Sequence, residues 1–129
     1  MVLSNGAERK TLLWERDYPC SGKILFNPKG DKLPQDKSIT NTYSTRLDTY
    51  IAEHNISRVD FLKISAPKHE IQVLEGAVNA LCNHKPKISI EVGYDWKTED
   101  AVIDFIEQID PQYVCQKRAF KVQASIGDE

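Results

Sequence analysis

Three side chains in the middle of the chain have the types and positions for chemistry: Ser65 and His69 in one short stretch, and Glu91 a little further on. A serine four residues before a histidine suggests a nucleophile and its base, and a carboxylate can orient a substrate or accept its proton. Each also has a plainer reading. No Gly-x-Ser-x-Gly elbow surrounds Ser65 and no third group orients His69, so a solvated histidine at a helix start competes with a catalytic one. Glu91 competes as a surface acid on the polar face of a strand. Glu70, beside His69, opens a helix whose dipole favours an anion there by about 0.3–1 kcal/mol. The histidines His54 and His84 read as exposed loop residues, and no set of side chains has metal-ligand spacing.

The elements that must position these residues are legible in the pattern. Val59 to Ile64 is an apolar, β-branched and aromatic run stopped by Ser65-Ala66-Pro67, where proline removes a ladder donor. From His69 to Asn83, Ile71, Leu74, Val78 and Leu81 recur at helical spacing, which predicts one amphipathic helix closed by Asn83 and Pro86. Lys87 to Val92 alternates, with Ile88, Ile90 and Val92 on one side and Lys87, Ser89 and Glu91 on the other. Strand, helix and strand make a right-handed βαβ unit with parallel strands. In open α/β sheets ligands bind beyond the carboxyl ends of such strands, so Ser65 to His69 and Glu91 to Tyr94 are the places to look for a site.

The blocks Arg46 to Ile51, Val59 to Ile64, His69 to Ala77 and Pro86 to Val92 resemble, in order and spacing, successive blocks of the FkbM-type methyltransferases. The resemblance implies a partial Rossmann-like methyltransferase fold of the α/β class: a mixed sheet with a parallel core and antiparallel closing strands. It covers the second half of that fold, so residues 1–129 read as a single domain lacking the cofactor-binding half. Within the blocks the family's Asp-x-Glu-Gly is replaced by Ser65-Ala66-Pro67-Lys68, whereas His69, Glu70 and Glu91 match. The implied activity is methyl transfer from S-adenosylmethionine to a hydroxyl oxygen once the missing N-terminal half is supplied, with Glu91, Ser65 and His69 lining the acceptor side. This chain has no Gly-x-Gly turn and no ribose-binding acid, so none of its residues is assigned to the cofactor and no tight binding of S-adenosylmethionine is expected from it alone. Two other readings stay open: a non-catalytic remnant or interaction module, and a truncated gene product.

Composition narrows the partners. Seventeen basic and 19 acidic residues give a net charge of −2, mixed along the chain, which offers no basic patch for nucleic acid. No run approaches the roughly 20 apolar residues of a membrane span, and the first residues lack the pattern of a signal peptide, so a cytoplasmic location is expected. Cys20, Cys82 and Cys115 are odd in number and far apart, and read as ordinary buried or half-buried thiols. Trp14 and Trp96 read as packing residues, since no basic groove accompanies them.

The flanking segments follow the same logic. Lys10 to Glu15 and Gly22 to Phe26 are expected to pair as strands, with loops at Asp17 to Ser21 and Asn27 to Asp36. Ser38 to Tyr43 reads as a strand leading to a short helix capped by Ser44 or Thr45, with Leu47 and Ile51 on its buried face. After a loop at Gly93 to Trp96, Thr98 is expected to cap a helix to Ile109, and Tyr113 to Lys117 and Phe120 to Ile126 form two closing strands. An absent first half leaves Val59 to Ile64 at a sheet edge, so self-association or a partner strand is expected there.

Overall fold

The computed structural model describes residues 1–7, 9–15, 23–25, 37–93 and 96–127. The two expected loops at 17–21 and 27–36, Cys20 and the side chain of Trp14 lie outside the described parts. Twelve elements follow in order: β1 (Val2–Leu3), β2 (Arg9–Glu15), β3 (Lys23–Leu25), β4 (Lys37–Thr45), α1 (Leu47–Glu53), β5 (Phe61–Ile64), α2 (Glu70–Glu75), α3 (Val78–His84), β6 (Lys87–Glu91), α4 (Trp96–Ile109), β7 (Tyr113–Arg118) and β8 (Lys121–Ile126).

The strands form two four-stranded sheets. In the first, of order β1-β4-β2-β3, β1 runs parallel to β4 while β2 lies antiparallel to both β3 and β4. The second, of order β5-β6-β8-β7, is the mixed sheet expected: β5 and β6 are parallel and the hairpin β7–β8 closes it antiparallel through β8. The parallel pair occupies one edge of this sheet rather than its centre. Period-two alternation decides which face is covered. Leu62, Ile64, Ile88, Ile90, Val122 and Ala124 are buried with Leu74, Leu81, Val102 and Ile106 of α2, α3 and α4 in one core. Complete burial of a leucine such as Leu74 or Leu81 stabilises by roughly 1.5–3 kcal/mol.

Where one helix was expected from His69 to Asn83, there are two, broken at Gly76–Ala77. The apolar residues stay in phase across the break, so the cause is tertiary. A β-carbon on Gly76 would lie 2.0 Å from the Ser4 carbonyl oxygen and 3.3 Å from the Arg46 α-carbon, both backbone atoms that cannot swing away. The Gly76 carbonyl accepts the Asp48 amide at 2.9 Å, and the Arg46 guanidinium donates to the Glu75 carbonyl at 3.1 Å. In return the Asp48 carboxylate accepts the amides of Asn79 and Ala80 at 3.0 and 2.9 Å. Asp48 thus caps α3, a helix it does not belong to, and satisfies two of the donors that a helix start leaves open.

The same joint corrects the expected start of α1. Ser44 lies in β4 and its hydroxyl donates to the Gly6 carbonyl at 2.6 Å, so neither it nor Thr45 caps α1, which begins after Arg46 without a side-chain cap. At the far end of the unit, α3 stops at Lys85 in the left-handed region, whose ammonium bonds Asp110 and holds that carboxyl below its ordinary range. The buried Tyr113 hydroxyl donates to the Pro86 carbonyl at 2.7 Å, and burial pushes the phenol up to about 12.

Other side chains depart from the sequence reading. Helix α4 starts at Trp96, ahead of Thr98, and Trp96 is 63% exposed with the Lys97 ammonium 5.7 Å from its ring centre, so it is not a packing residue. His84 is the half-buried last residue of α3, and its Nδ1 accepts the Val59 amide at 3.1 Å, which removes it from the exposed loops. His54 is exposed and stacks on Tyr50. Cys82 is exposed, contrary to expectation; Cys115 is half-buried, its thiol raised to about 11 by burial. No helix among the described residues is long and apolar enough to cross a membrane.

Gly76→Ala tests the joint. The substitution adds one carbon where a backbone carbonyl stands, so α2 must move off the N-terminal segment, at an expected cost above about 2 kcal/mol in urea unfolding. A loss below about 0.5 kcal/mol would contradict the close approach.

Candidate functional site

The parallel register sets Ile64 beside Ile90, which brings the next residues, Ser65 and Glu91, to the same level at the carboxyl ends of β5 and β6. Their side chains meet: the Ser65 hydroxyl donates to Glu91 Oε2 at 2.9 Å, with both residues exposed. Across the ladder Glu91 pairs with Lys121 of β8, which pairs in turn with Arg118 of β7. A row of hydroxyl, carboxylate and two cations therefore crosses the sheet at this end. Lys121 and Arg118 escaped the sequence reading because they belong to the closing hairpin. Registering that hairpin on Glu91 would have found them.

The row lies on the face that α2, α3 and α4 leave uncovered. Phe61, Lys63, Ser89, Gln123 and Gln116 are exposed or half-buried on that face, and part of it forms an open groove of about 310 Å³ lined by Phe61, Ser89, Gln116 and Gln123 among others. The mouth of the site is bounded by backbone held in the left-handed region at three positions: Lys68 with φ +66°, Gly93 with φ +63° and Phe120 with φ +59°. Phe120 is drawn to this end by its carbonyl, which accepts the Val92 amide at 2.9 Å.

His69 does not join Ser65 and Glu91. It is only 4% exposed, its amide donates to the Ala66 carbonyl at 2.8 Å, and its carbonyl accepts the first bond of α2 from Val73. The solvated histidine is thereby corrected to a buried one, and the Ser65 hydroxyl that a nucleophile–base pair would need is bonded to Glu91 instead. Glu70 is likewise buried, with Oε1 accepting the Lys68 amide at 3.3 Å. Together these bonds fix the loop Ser65 to His69 against the start of α2. Among the described residues no three His, Cys, Asp or Glu side chains gather as a metal site. An exposed carboxylate bonded to a hydroxyl can accept a hydrogen bond from a polar ligand and take up its proton.

Comparison with known proteins gives one finding. The family model described as Methyltransferase FkbM domain matches residues 22–121. No curated protein and no solved structure matches the chain.

The loop also explains why one of its positions differs in cost from its neighbours. Ala66, Pro67, Lys68 and His69 form a turn closed by the His69 amide on the Ala66 carbonyl, with proline second and a positive φ third, the pattern of a type II turn. The third position favours glycine, which is what the resembling family carries there. A lysine in the left-handed region gives up about 1–2 kcal/mol, of which the greater unfolded entropy of glycine would take back about 0.5–1. Lys68→Gly is therefore expected to stabilise by about 0.5–1 kcal/mol in urea unfolding, and Lys68→Ala to leave stability nearly unchanged. Destabilisation by Lys68→Gly would contradict the turn.

Proposed function

Because the chain belongs to the methyltransferase FkbM domain family, we propose that it forms the second half of a Rossmann-like methyltransferase domain and supplies the acceptor side of methyl transfer to a hydroxyl oxygen. The observation that carries this reading is the Ser65–Glu91 hydrogen bond at the carboxyl ends of two parallel strands, where ligands bind in open α/β sheets. Ser65 occupies one carboxylate oxygen and fixes its direction. The remaining acceptor sites of Glu91 point to solvent, where an acceptor hydroxyl donates to them. Glu91 then orients the acceptor oxygen and takes its proton, with Lys121 as its neighbour across the ladder.

Members of this family generally use S-adenosylmethionine as methyl donor. A glycine-rich turn lets backbone donors approach such a cofactor closely, and no two glycines of this chain stand two residues apart. This chain therefore supplies the acceptor side of the reaction.

A second reading is favoured by one specific observation. Ser65 and Pro67 stand where the family has Asp and Glu, so two carboxylates that would share the work of Glu91 are missing. A domain with this loop would hold a hydroxylated ligand on Glu91 without reacting it, as a binding module.

Titrating the chain with a panel of polyols and glycosides, followed by amide chemical shifts, tests the site common to both readings. The expected result is a saturable shift confined to Ser65–His69 and Glu91–Val92, lost in Glu91→Gln, with folding stability changed by less than about 0.5 kcal/mol because the residue is exposed. S-adenosylmethionine alone should give no saturable shift at micromolar concentration. Ligand shifts that survive Glu91→Gln, or that centre elsewhere, would place the acceptor site away from this row.

A further inference from the structure

The closing hairpin lies on the far side of β6 from the outer edge of β5, where the first half of the domain would pair, so its strand pairing is independent of that half. Its place in the candidate site follows from the main-chain bonds. The Val92 amide donates to the Phe120 carbonyl at 2.9 Å, which makes Glu91 and Lys121 a non-hydrogen-bonded antiparallel pair. That is the closer of the two kinds, with α-carbons about 4.5 Å apart. Alternate residues of a strand turn their main-chain groups to alternate sides, so Lys121 and Arg118 form a hydrogen-bonded pair, with α-carbons about 5.5 Å apart. All three side chains stand on the uncovered face, since the neighbouring Ile90 and Val122 are buried in the core.

Charge is sorted on this face. Its four strands present Lys63, Lys87, Lys121 and Arg118 against one carboxylate, Glu91, although acids outnumber bases in the chain as a whole. The hairpin's cation on the helix side, Lys117, is tied to Asp100 and Glu99 of α4, with Nζ at 2.7 and 3.8 Å. Among the described residues, neither Lys121 nor Arg118 is joined to a carboxylate. The Arg118 guanidinium donates to the neutral Gln116 Oε1 at 3.0 Å, which uses one of its five donors and holds it along β7. A guanidinium so held keeps a fork of donors for a carboxylate or phosphate, and the ammonium beside it adds a point charge.

From this row we infer that the ligand whose hydroxyl meets Glu91 also carries an anionic group, a phosphate or a carboxylate, which Lys121 and Arg118 hold. The inference rests on the acceptor reading of Glu91 and names the class of molecule that the acceptor belongs to. The ladder sets the spacing: the anion sits one to two strands from the hydroxyl, about 5–10 Å away. One sugar ring with an anion on its exocyclic carbon has that reach. The cations also make such a ligand tolerable beside a carboxylate. Glu91 alone would repel it, whereas two positive charges across the ladder reverse the sign of the local field. A neutral polyol would make no use of either cation.

Amide chemical shifts of the 129-residue chain at low ionic strength test this with glucose, glucuronate, glucose 6-phosphate and inorganic phosphate as probes. At least one of the two anionic sugars is expected to bind at least about tenfold tighter than glucose, with shifts that extend to Arg118 and Lys121 and fade as salt is added. Combining Lys121→Gln with Arg118→Gln should bring that sugar down to the affinity of glucose and leave glucose unchanged. Both residues are exposed, so neither substitution touches the core. Equal affinity for the three sugars in the unmodified chain overturns the inference, as does a preference for the anion that survives the double variant. Glu91→Gln separates this failure from that of the acceptor reading. Glucose shifts lost in Glu91→Gln, with no preference for an anion, remove the inference and leave the acceptor site standing. A preference abolished by the double variant but indifferent to Glu91→Gln, with inorganic phosphate binding as well as glucose 6-phosphate, keeps the anion site and removes the acceptor reading.

Discussion

The carbonyl oxygen of Ser4 occupies the space that a side chain at position 76 would need. From that one close approach the arrangement of the central unit follows. With no β-carbon at Gly76, the N-terminal segment lies directly on the end of α2, the Asn5 amide side chain reaches the Glu75 carboxylate at 2.8 Å, and Arg46 reaches the Glu75 carbonyl. The chain between α2 and α3 leaves the helical path there, which would strand the donors at the start of α3, and Asp48 supplies the acceptors. Four separated pieces of sequence, around residues 4, 46, 76 and 80, are fixed to one another by backbone contacts and by the side chains of Asn5, Arg46, Asp48 and Glu75. Residues of α2 and α3 share one core with those of β5 and β6, so the joint belongs to the unit that carries the loop Ser65 to His69.

The candidate site depends on a second, simpler constraint. A sheet covered on one face divides its residues by period two, and the register then aligns what the uncovered face carries. Ser65, Glu91, Lys121 and Arg118 come from four different strands or strand ends, yet they form one row because each is a partner of the next. A one-residue slip of β6 would turn Glu91 inward and expose Ile90. The geometry of the row is therefore as secure as the burial of Ile64, Ile88, Ile90 and Val122. The buried His69 and Glu70 have a different task, holding the turn at Pro67 and Lys68 against the start of α2.

Much of this was readable from the amino-acid sequence, for local reasons. The alternation of Ile88, Ile90 and Val92 with Ser89 and Glu91 sets both the strand and its buried side, and Asp110-Pro111 stops α4 where it should. The meeting of Ser65 and Glu91 follows from parallel strands of known ends. What was not readable came from contacts distant in sequence. Ile71, Leu74, Val78 and Leu81 keep helical phase through Gly76, so nothing nearby signals the break, whose cause lies some seventy residues earlier at Ser4. Asp48 stands in the first turn of α1, where local capping is the commoner use of such a residue, and only the folded chain shows its carboxylate turned to Asn79 and Ala80. His69 reads as solvated beside lysine and glutamate until α2 is packed, when its side chain is enclosed.

Native-state hydrogen exchange of the Asn79 and Ala80 amides measures the joint most directly. First-turn amides of an uncapped helix exchange rapidly, whereas amides held by a fixed carboxylate exchange only when that part of the fold opens. The expected result is that both exchange as slowly as the amide of Leu81, which is bonded within α3 to the Ala77 carbonyl, and that Asp48→Ala releases both. Exchange of Asn79 and Ala80 in the unmodified chain at the rate of solvent-exposed amides would contradict the joint.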